Sequence, residues 1–274
     1  MSVGPLPRIR FKQPVKATGG VTGVDAPKQR GNTLDAMLAS VPMTKAVVAT
    51  GPVPELDWLI KSKPNARVAL VQGSFDWIHN GHLDMIGAVA ASKSGKTQEP
   101  FDLVVVMPTT SNKQKAFLAD GVAQRFDLVK KAVAGRDELR GRVAVSDAAI
   151  KNSSPDGLIR QLLETYGTAR FTFVQGADAF NQSAKWPTFS VVEDNMDLAV
   201  VPRAGVALEH SERVDQLIDV QPTAISSSEI RKALEAGDLS GIEGRVPAST
   251  FAALERELAR RQDPTAATLH WFAA

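Results

Sequence analysis

A short apolar run followed by a glycine-opened turn is the feature that most constrains this chain. The residues RVALVQ at 67–72 have the composition of a buried strand, and GSFDWIHNGHL follows at 73–83. A helix that begins near Asn80 would place its N-terminus close to the end of that strand. Because His79 and His82 are three residues apart, we expect both imidazoles to project from the first turn of the helix.

The start of that helix has the chemistry of an anion site. Unpaired backbone N–H groups and the positive end of the helix dipole lie there, and both favour a group such as a triphosphate. Gly73 and Gly81 let the backbone approach a ligand without an intervening side chain. Two imidazoles at this point suit phosphoryl or nucleotidyl transfer, in which catalysis is largely positioning and charge stabilisation. The alternative is that the histidines only cap the helix, as polar residues at helix starts often do.

The string GSFD-x-I-HNGHL resembles the motif of the HxGH nucleotidylyltransferase superfamily, most closely the nicotinamide and nicotinate mononucleotide adenylyltransferases. The resemblance covers residues 67 to about 260. It implies that His79 and His82 are catalytic and stabilise the α- and β-phosphates of ATP. The residues that would cradle the nucleotide are Gly73, Ser74 and Phe75.

A second motif, ISSSEIR at 225–231, is similar to the ISSTxIR segment with which the same family begins a late helix. Ser226 and Glu229 have the spacing of a capping box, so a well-capped helix is one explanation. Capping does not account for Arg231, because a cation near a helix start opposes the dipole and is better explained by a bound anion. The resemblance implies a catalytic role for Arg231 at the ATP phosphates. The nucleotide-binding residues of this motif would be Ser226, Ser227 and Ser228.

A third segment, FTFVQGADAFNQSAKW, alternates like a strand over Phe171–Val174 and continues into GAD. Ligands in open parallel sheets bind beyond the carboxyl ends of strands, so Asp178 is placed to accept a hydrogen bond from a ribose. The segment looks like the family's GAD…W segment. That likeness implies that Gly176 and Asp178 contact the adenosine and that Trp186 lies by the pyridine nucleotide. Core packing is the alternative for Trp186.

The loop TTSNKQKAFLADG at 109–121 follows the second expected strand, and loops at strand ends often carry function. In the family a basic loop lies near the phosphates at this point. The resemblance therefore implies a phosphate contact for Lys115, and a solvated lysine is the alternative.

The remaining pattern predicts an α/β protein with a Rossmann-like, doubly wound parallel sheet and right-handed crossovers. Apolar runs typical of strands alternate with stretches of helical periodicity. Helices are expected from Asn80 through Ala91 and over Ala123–Ala134. The expected strands are Val68–Gln72, 101–108, Arg142–Val145, Phe171–Val174, Leu198–Val201 and Gln216–Val220.

Residues 1–66 form an N-terminal extension in this interpretation, and residues 67–274 form the nucleotidylyltransferase domain. The extension carries nine Lys/Arg against four Asp/Glu, and eight of the sixteen prolines. Residues 1–32 have neither helical nor strand periodicity and predict an extended basic arm. Two short helices, Thr33–Ala39 and Glu55–Lys61, are expected after it.

Composition narrows the class of protein further. The absence of cysteine excludes disulfides and thiolate metal sites. A formal net charge of +2 gives no strong nucleic-acid signature, and no signal-like or membrane-length apolar run occurs. We therefore expect a cytoplasmic enzyme with no membrane or nucleic-acid partner, and a homo-oligomer is left open.

The motifs together predict an adenylyltransferase that joins ATP to nicotinate or nicotinamide mononucleotide and releases pyrophosphate, as in NAD biosynthesis. Mg²⁺ would be held by phosphates and waters, because the sequence has no dedicated protein cage for a metal. The alternative within the superfamily is a phosphopantetheine adenylyltransferase or another HxGH enzyme. The alternative of another class is a nucleotide sensor that does no chemistry.

Trp77 stands where the family commonly has proline. This departure leaves two outcomes open for the turn before His79. Either the turn has a different shape, or the indole lines the cleft.

Overall fold

The computed structural model describes residues 53–109, 121–151, 155–186, 189–221 and 225–263, which all belong to one compact unit. The predicted arm at 1–32, the predicted helix Thr33–Ala39 and Lys115 lie outside the described residues.

Six strands form one sheet in which every pair is parallel. The strands are β1 (Arg67–Gly73), β2 (Leu103–Pro108), β3 (Val143–Val145), β4 (Arg170–Gly176), β5 (Asp197–Val201) and β6 (Gln216–Leu217). Their order is β3-β2-β1-β4-β5-β6, so the strand order reverses between β1 and β4. This arrangement confirms the predicted doubly wound sheet, whose ligand crevice lies beyond the carboxyl ends at the reversal point.

Helices lie before, between and after the strands. They are α1 (Pro54–Ser62), α2 (Asn80–Ala91), α3 (Gly121–Ala134), α4 (Ala148–Lys151), α5 (Pro155–Tyr166), α6 (Ala177–Ser183), α7 (Ser190–Asn195), α8 (Ser227–Ala236) and α9 (Ala248–Gln262). The predicted helices at 55–61, 80–91 and 123–134 are thereby confirmed to within two residues at each end.

The last strand is shorter than the sequence predicts. Its pairing with β5 covers Gln216 and Leu217, and one more bond joins the Ile218 N–H to the Val200 carbonyl. Because β5 ends at Val201, the ladder stops there, and residues up to Val220 leave the sheet.

Both faces of the sheet are buried, which explains why β1 and β2 are apolar almost throughout. Ala69 and Val71 of β1 pack in one core cluster with residues of α2, α3 and α9. Val68 and Leu70 point to the other face, where a second cluster contains residues of α1, α5, α6 and α7. Side chains of one strand thus alternate between two apolar layers, as a strand period of two requires.

Helix α1 is fixed to the second cluster although it precedes the sheet. Leu56 and Leu59 are buried there. The Tyr166 hydroxyl accepts from the buried Val53 N–H at 3.2 Å and lies 2.8 Å from Asp57 Oδ1. The proposed boundary at residue 66 therefore falls between a helix and a strand that share one core.

We predict that Tyr166→Phe lowers the free energy of unfolding by about 1–3 kcal/mol, because it leaves the Val53 N–H without its acceptor while keeping the ring. Urea denaturation measures the change. The matched control is Ser62→Ala, which removes a hydroxyl that donates to the Leu59 carbonyl nearer the surface. Equal stability of Tyr166→Phe and wild type would show that the hydroxyl does not anchor α1.

Candidate active site

The carboxyl ends of the central strands lie side by side. Gly73 of β1 is paired with Pro108 of β2, and Gly176 of β4 with Val201 of β5. Since β1 and β4 are in register at Val71 and Val174, Gly73 and Gly176 stand at the same level. The HxGH segment and the GAD segment therefore begin along one edge of the sheet.

The loop after β1 has a constrained backbone. Phe75 has φ 45°, in the left-handed region that few non-glycine residues adopt. Its buried ring lies against Gly73, where an added Cβ would come within 3.1 Å of a ring carbon. A larger residue at position 73 would therefore require the Phe75 ring to shift by a few tenths of an ångström. Because the Phe75 side chain is buried, Phe75 could contribute only its backbone to a nucleotide cradle at this loop, whereas the Ser74 side chain is half-buried.

His79 and His82 cap α2 reciprocally. The His82 N–H donates to His79 Nδ1 at 3.3 Å, and the His79 N–H donates to His82 Nδ1 at 3.4 Å. The two rings stack with centroids 3.7 Å apart, and the edge of Phe75 packs against His82. The prediction that both imidazoles meet at the first turn is confirmed, and the capping explanation also holds.

The reciprocal caps determine where the ring protons lie. An Nδ1 atom that accepts a hydrogen bond carries no proton, so each neutral ring holds its proton on Nε2. Burial lowers the pKa of His79 to about 4, with the charges of Arg203 and Arg245 acting in the same direction and Glu229 opposing them. His79 is therefore neutral at pH 7 and presents an N–H donor.

We predict that acidification destabilises the protein through His79. The unfolded state takes up this proton near pH 6.5 and the folded state near pH 4, so stability falls as the pH drops across that range. His79→Asn keeps a capping side chain but cannot titrate there. Urea unfolding at pH 7 and pH 5 should show a loss for wild type that exceeds that of His79→Asn by about 1–2 kcal/mol. Equal losses would contradict a buried neutral His79.

Helix α8 begins with the predicted capping box. The Ser226 hydroxyl accepts from the Glu229 N–H at 3.2 Å and lies 2.8 Å from Glu229 Oε2, so this serine is engaged in the cap. Glu229 also pairs with Arg245 at 3.2 Å. The Arg245 carbonyl accepts from the Asn80 N–H, which joins the starts of α2 and α8 through the loop before α9.

Arg231 lies on α8 and faces the β1 loop. Its Nη2 donates to Ser228 Oγ at 2.9 Å, and its Nη1 is 3.6 Å from Asp76 Oδ2. A bound anion was predicted to explain why a cation lies near the start of this helix. Asp76 is an anion of the protein itself, and its pairing with Arg231 accounts for part of that placement. About a fifth of the Arg231 side chain remains exposed for a ligand.

Gly176 and Asp178 begin α6 at the same sheet edge. Asp178 forms an ion pair with Arg203, which follows β5 and is close enough to lower the pKa of His79. A ribose that binds Asp178 would therefore meet a carboxylate already oriented by a guanidinium. Trp186, beyond the end of α6, is 46% exposed, so the core-packing alternative is excluded.

Four charged residues of the site were not identified from the sequence. Asp76 lies inside the HxGH motif, so its position in the sequence could have indicated a role. The other three residues lie on elements that are distant in sequence, and they are Arg125, Arg203 and Arg245. Lone arginines in a helix or loop give no pattern by which sequence alone could have found them.

The alternatives left open for Trp77 are decided by burial. Trp77 is buried in the same cluster as Phe75 and Ile78 and does not line an open cleft. No cis peptide occurs among the described residues. The unusual shape of this turn lies at Phe75, two residues earlier.

We predict that Arg231→Lys lowers kcat/KM for ATP by about tenfold, because one ammonium cannot replace a planar fork that engages Ser228 and Asp76 together. Arg231→Ala should lose more. The matched control is Lys232→Ala, which removes the exposed cation next to it on α8. Steady-state rates at varied ATP measure the effect. If the lysine and alanine variants both match Lys232→Ala, the ISSSEIR segment is a capped helix without a nucleotide role.

Neither a metal-ligand cluster nor a membrane-spanning helix occurs among the described residues. These residues contain no group of three or more His, Cys, Asp or Glu side chains arranged to hold a metal ion. Among the helices that the structure describes, none is long and apolar enough to cross a membrane.

Comparison with known proteins agrees with this geometry. The family model described as cytidylyltransferase-like matches residues 70–233, more than half of the chain. The chain therefore belongs to the cytidylyltransferase-like family. This match confirms the membership inferred from the HxGH and ISSSEIR motifs.

Individual relatives of the chain are named as probable nicotinate-nucleotide adenylyltransferases. A probable nicotinate-nucleotide adenylyltransferase of Solibacter usitatus is 32% identical over 197 residues, which cover 70% of this chain and 98% of the relative. One from Bordetella avium is 27% identical over 191 residues, covering 66% and 91% of the two chains. The nicotinic acid mononucleotide adenylyltransferase of Plasmodium falciparum, solved as its complex with NaAD, superposes with a TM-score of 0.58. The two chains are 16% identical, and the match covers 70% of this chain and 96% of the Plasmodium chain. This match shows a similarity of fold.

Proposed function

We propose that this protein is an adenylyltransferase that joins ATP to nicotinate mononucleotide and releases pyrophosphate, a step of NAD biosynthesis. The observation that carries the proposal is the stacked pair His79 and His82 at the start of α2, facing the same sheet edge as Arg231 and Asp178. The names of the relatives support nicotinate mononucleotide as the acceptor.

The reaction is a direct displacement at phosphorus. An oxygen of the mononucleotide 5′-phosphate bonds to the α-phosphorus of ATP, while the bond from that phosphorus to the oxygen bridging to the β-phosphate breaks. The electron pair leaves with pyrophosphate, so no covalent enzyme intermediate is needed. The residues of the chain act by orienting the reactants and by stabilising negative charge on the phosphoryl oxygens.

The two histidines and the arginines have different tasks in this scheme. His79 and His82 donate from Nε2 to oxygens of the α- and β-phosphates. The positive charge comes from the guanidinium of Arg231. Ser227 and Ser228, at the first two positions of α8, offer backbone N–H groups to the outer phosphates.

In this proposal Mg²⁺ binds to the protein together with ATP. Phosphate oxygens and waters satisfy the octahedral preference of Mg²⁺ without a protein cage. The residues described here would hold the nucleotide, and the metal would reduce charge repulsion between the phosphates when bound.

Several sequence predictions remain proposals beside this function. They are the division of the chain at residue 66, the phosphate contact of Lys115, the cytoplasmic location, the absence of a nucleic-acid partner and the open question of a homo-oligomer. The nucleotide-binding roles of Gly73, Ser74 and Phe75 also belong here, and Phe75 would contribute its backbone because its ring is buried.

A turnover assay separates the proposal from its alternatives. The full chain is incubated with ATP and Mg²⁺ and with nicotinate mononucleotide, nicotinamide mononucleotide or phosphopantetheine in separate reactions, and pyrophosphate release is measured. We expect the nicotinate reaction to be fastest. Faster release with phosphopantetheine would overturn the acceptor assignment. ATP binding without turnover on any acceptor would favour the sensor.

We predict that His82→Ala lowers kcat by about 10²-fold, because it removes a donor whose bond strengthens as charge develops in the transition state. The matched control is His210→Asn. His210 is exposed with φ 54°, a conformation that asparagine also tolerates. Circular dichroism would verify that both variants fold. Turnover of His82→Ala at the level of His210→Asn would remove this histidine from the mechanism.

A further inference from the structure

A buried arginine lies behind the β1 loop. Arg125, in the second turn of α3, is 7% exposed, although a guanidinium is costly to bury without partners. Its Nη1 donates to the Ser74 carbonyl at 2.7 Å. Burial lowers the pKa of Arg125, and the nearby carboxylate of Asp76 opposes that shift. A helix outside all three motifs therefore contacts the first of them from inside the protein.

Asp76 links this arginine to a second one. Asp76 is 4% exposed, and its Oδ2 lies 3.6 Å from Arg231 Nη1. One buried carboxylate thus interacts with guanidinium groups from two different helices. The three side chains together carry one net positive charge. Because Arg125 is buried and Arg231 is partly exposed, that charge is available to a ligand through Arg231.

The bond to Ser74 also determines the direction of a peptide group. The Ser74–Phe75 peptide is trans, so its carbonyl and its N–H point in opposite directions. Since the carbonyl is held toward Arg125, the Phe75 N–H points away from α3. Phe75 itself has φ 45°, a conformation that needs support from its surroundings.

We propose that Arg125 is a positioning residue for ATP. It holds the Ser74–Phe75 peptide in place and, through Asp76, orients the guanidinium of Arg231 toward the phosphates. This inference rests on the proposed adenylyltransferase function. It adds a residue that lies outside the HxGH and ISSSEIR motifs and that acts without contacting the nucleotide.

The first test compares two arginine-to-methionine variants of the full chain. Arg125→Met keeps a long side chain but loses the charge and the donors. The matched control is Arg142→Met, since Arg142 also donates to a backbone carbonyl, that of Ala90 at the opposite end of α2. We expect Arg125→Met to lower kcat/KM for ATP by about tenfold or more, with KM for nicotinate mononucleotide within about twofold of wild type. Kinetic constants equal to those of Arg142→Met would overturn the proposal.

A double-mutant cycle tests whether Arg125 acts through Arg231. In the Arg231→Lys background, the further loss caused by Arg125→Met should be at least about threefold smaller than in wild type, because the oriented fork is already absent. A purely structural role predicts independent, multiplicative losses, and that result would overturn the coupling. If Arg125→Met does not fold, Arg125→Lys takes its place, with a smaller loss in the same constant expected.

Direct binding separates a failure of this inference from a failure of the proposed function. Calorimetric titration with a non-hydrolysable ATP analogue needs no acceptor. If wild type transfers no adenylyl group to any acceptor, the adenylyltransferase assignment fails. Arg125→Met is then still expected to bind the analogue about tenfold more weakly than Arg142→Met. Equal affinities would overturn the positioning role whatever the reaction is.

Discussion

The parallel pairing of β1 with β4 is the contact on which the site depends. It places Gly73 level with Gly176, so the loop before α2 and the start of α6 open into the same crevice. A slip of two residues would keep every side chain on its own face of the sheet, but it would move one strand end by about 6.6 Å. Arg203 and Asp178 would then be displaced relative to His79. The register of β1 and β4 thus sets the electrostatics of the site.

Much of the fold was predictable because its signals are local. The apolar runs of β1, β2, β4 and β5, the start of α2 and the capping box of α8 each depend on a few consecutive residues. The length of β6 was not predictable in this way, because it depends on where the neighbouring strand β5 ends. The packing of the Phe75 ring against Gly73 was not predictable either, because it depends on the left-handed backbone of Phe75.

The charges of the site were the least predictable part. The sequence indicated Arg231 and explained it by a bound anion, yet the first anion it meets is Asp76 of the HxGH motif. Such a pairing requires two segments more than 150 residues apart to be placed together, which no local pattern encodes. The same holds for Asn80, whose backbone and side chain bond to the carbonyls of Arg245 and Gly244. These links join the two motifs that the resemblance had identified separately.

The site combines a neutral hydrogen-bond donor, His79, with a charged donor, Arg231. This combination suits a substrate with several negative charges. A buried imidazolium would be costly, and the lowered pKa of His79 shows that the fold favours the neutral ring, which still donates a hydrogen bond. Arg231 carries a positive charge instead, on a side chain of which about a fifth is exposed.

The turn before His79 is held by side-chain packing and a hydrogen bond rather than by a proline. Proline, common at this place in the resembling family, would restrict φ through its ring. Here Trp77 and Ile78 are both buried directly before His79, and Arg125 holds Ser74 before the left-handed Phe75. Packing and one buried hydrogen bond therefore replace a covalent restraint. Because the stacked rings of His79 and His82 are ordered when the protein folds, a ligand that binds at them would lose less conformational entropy.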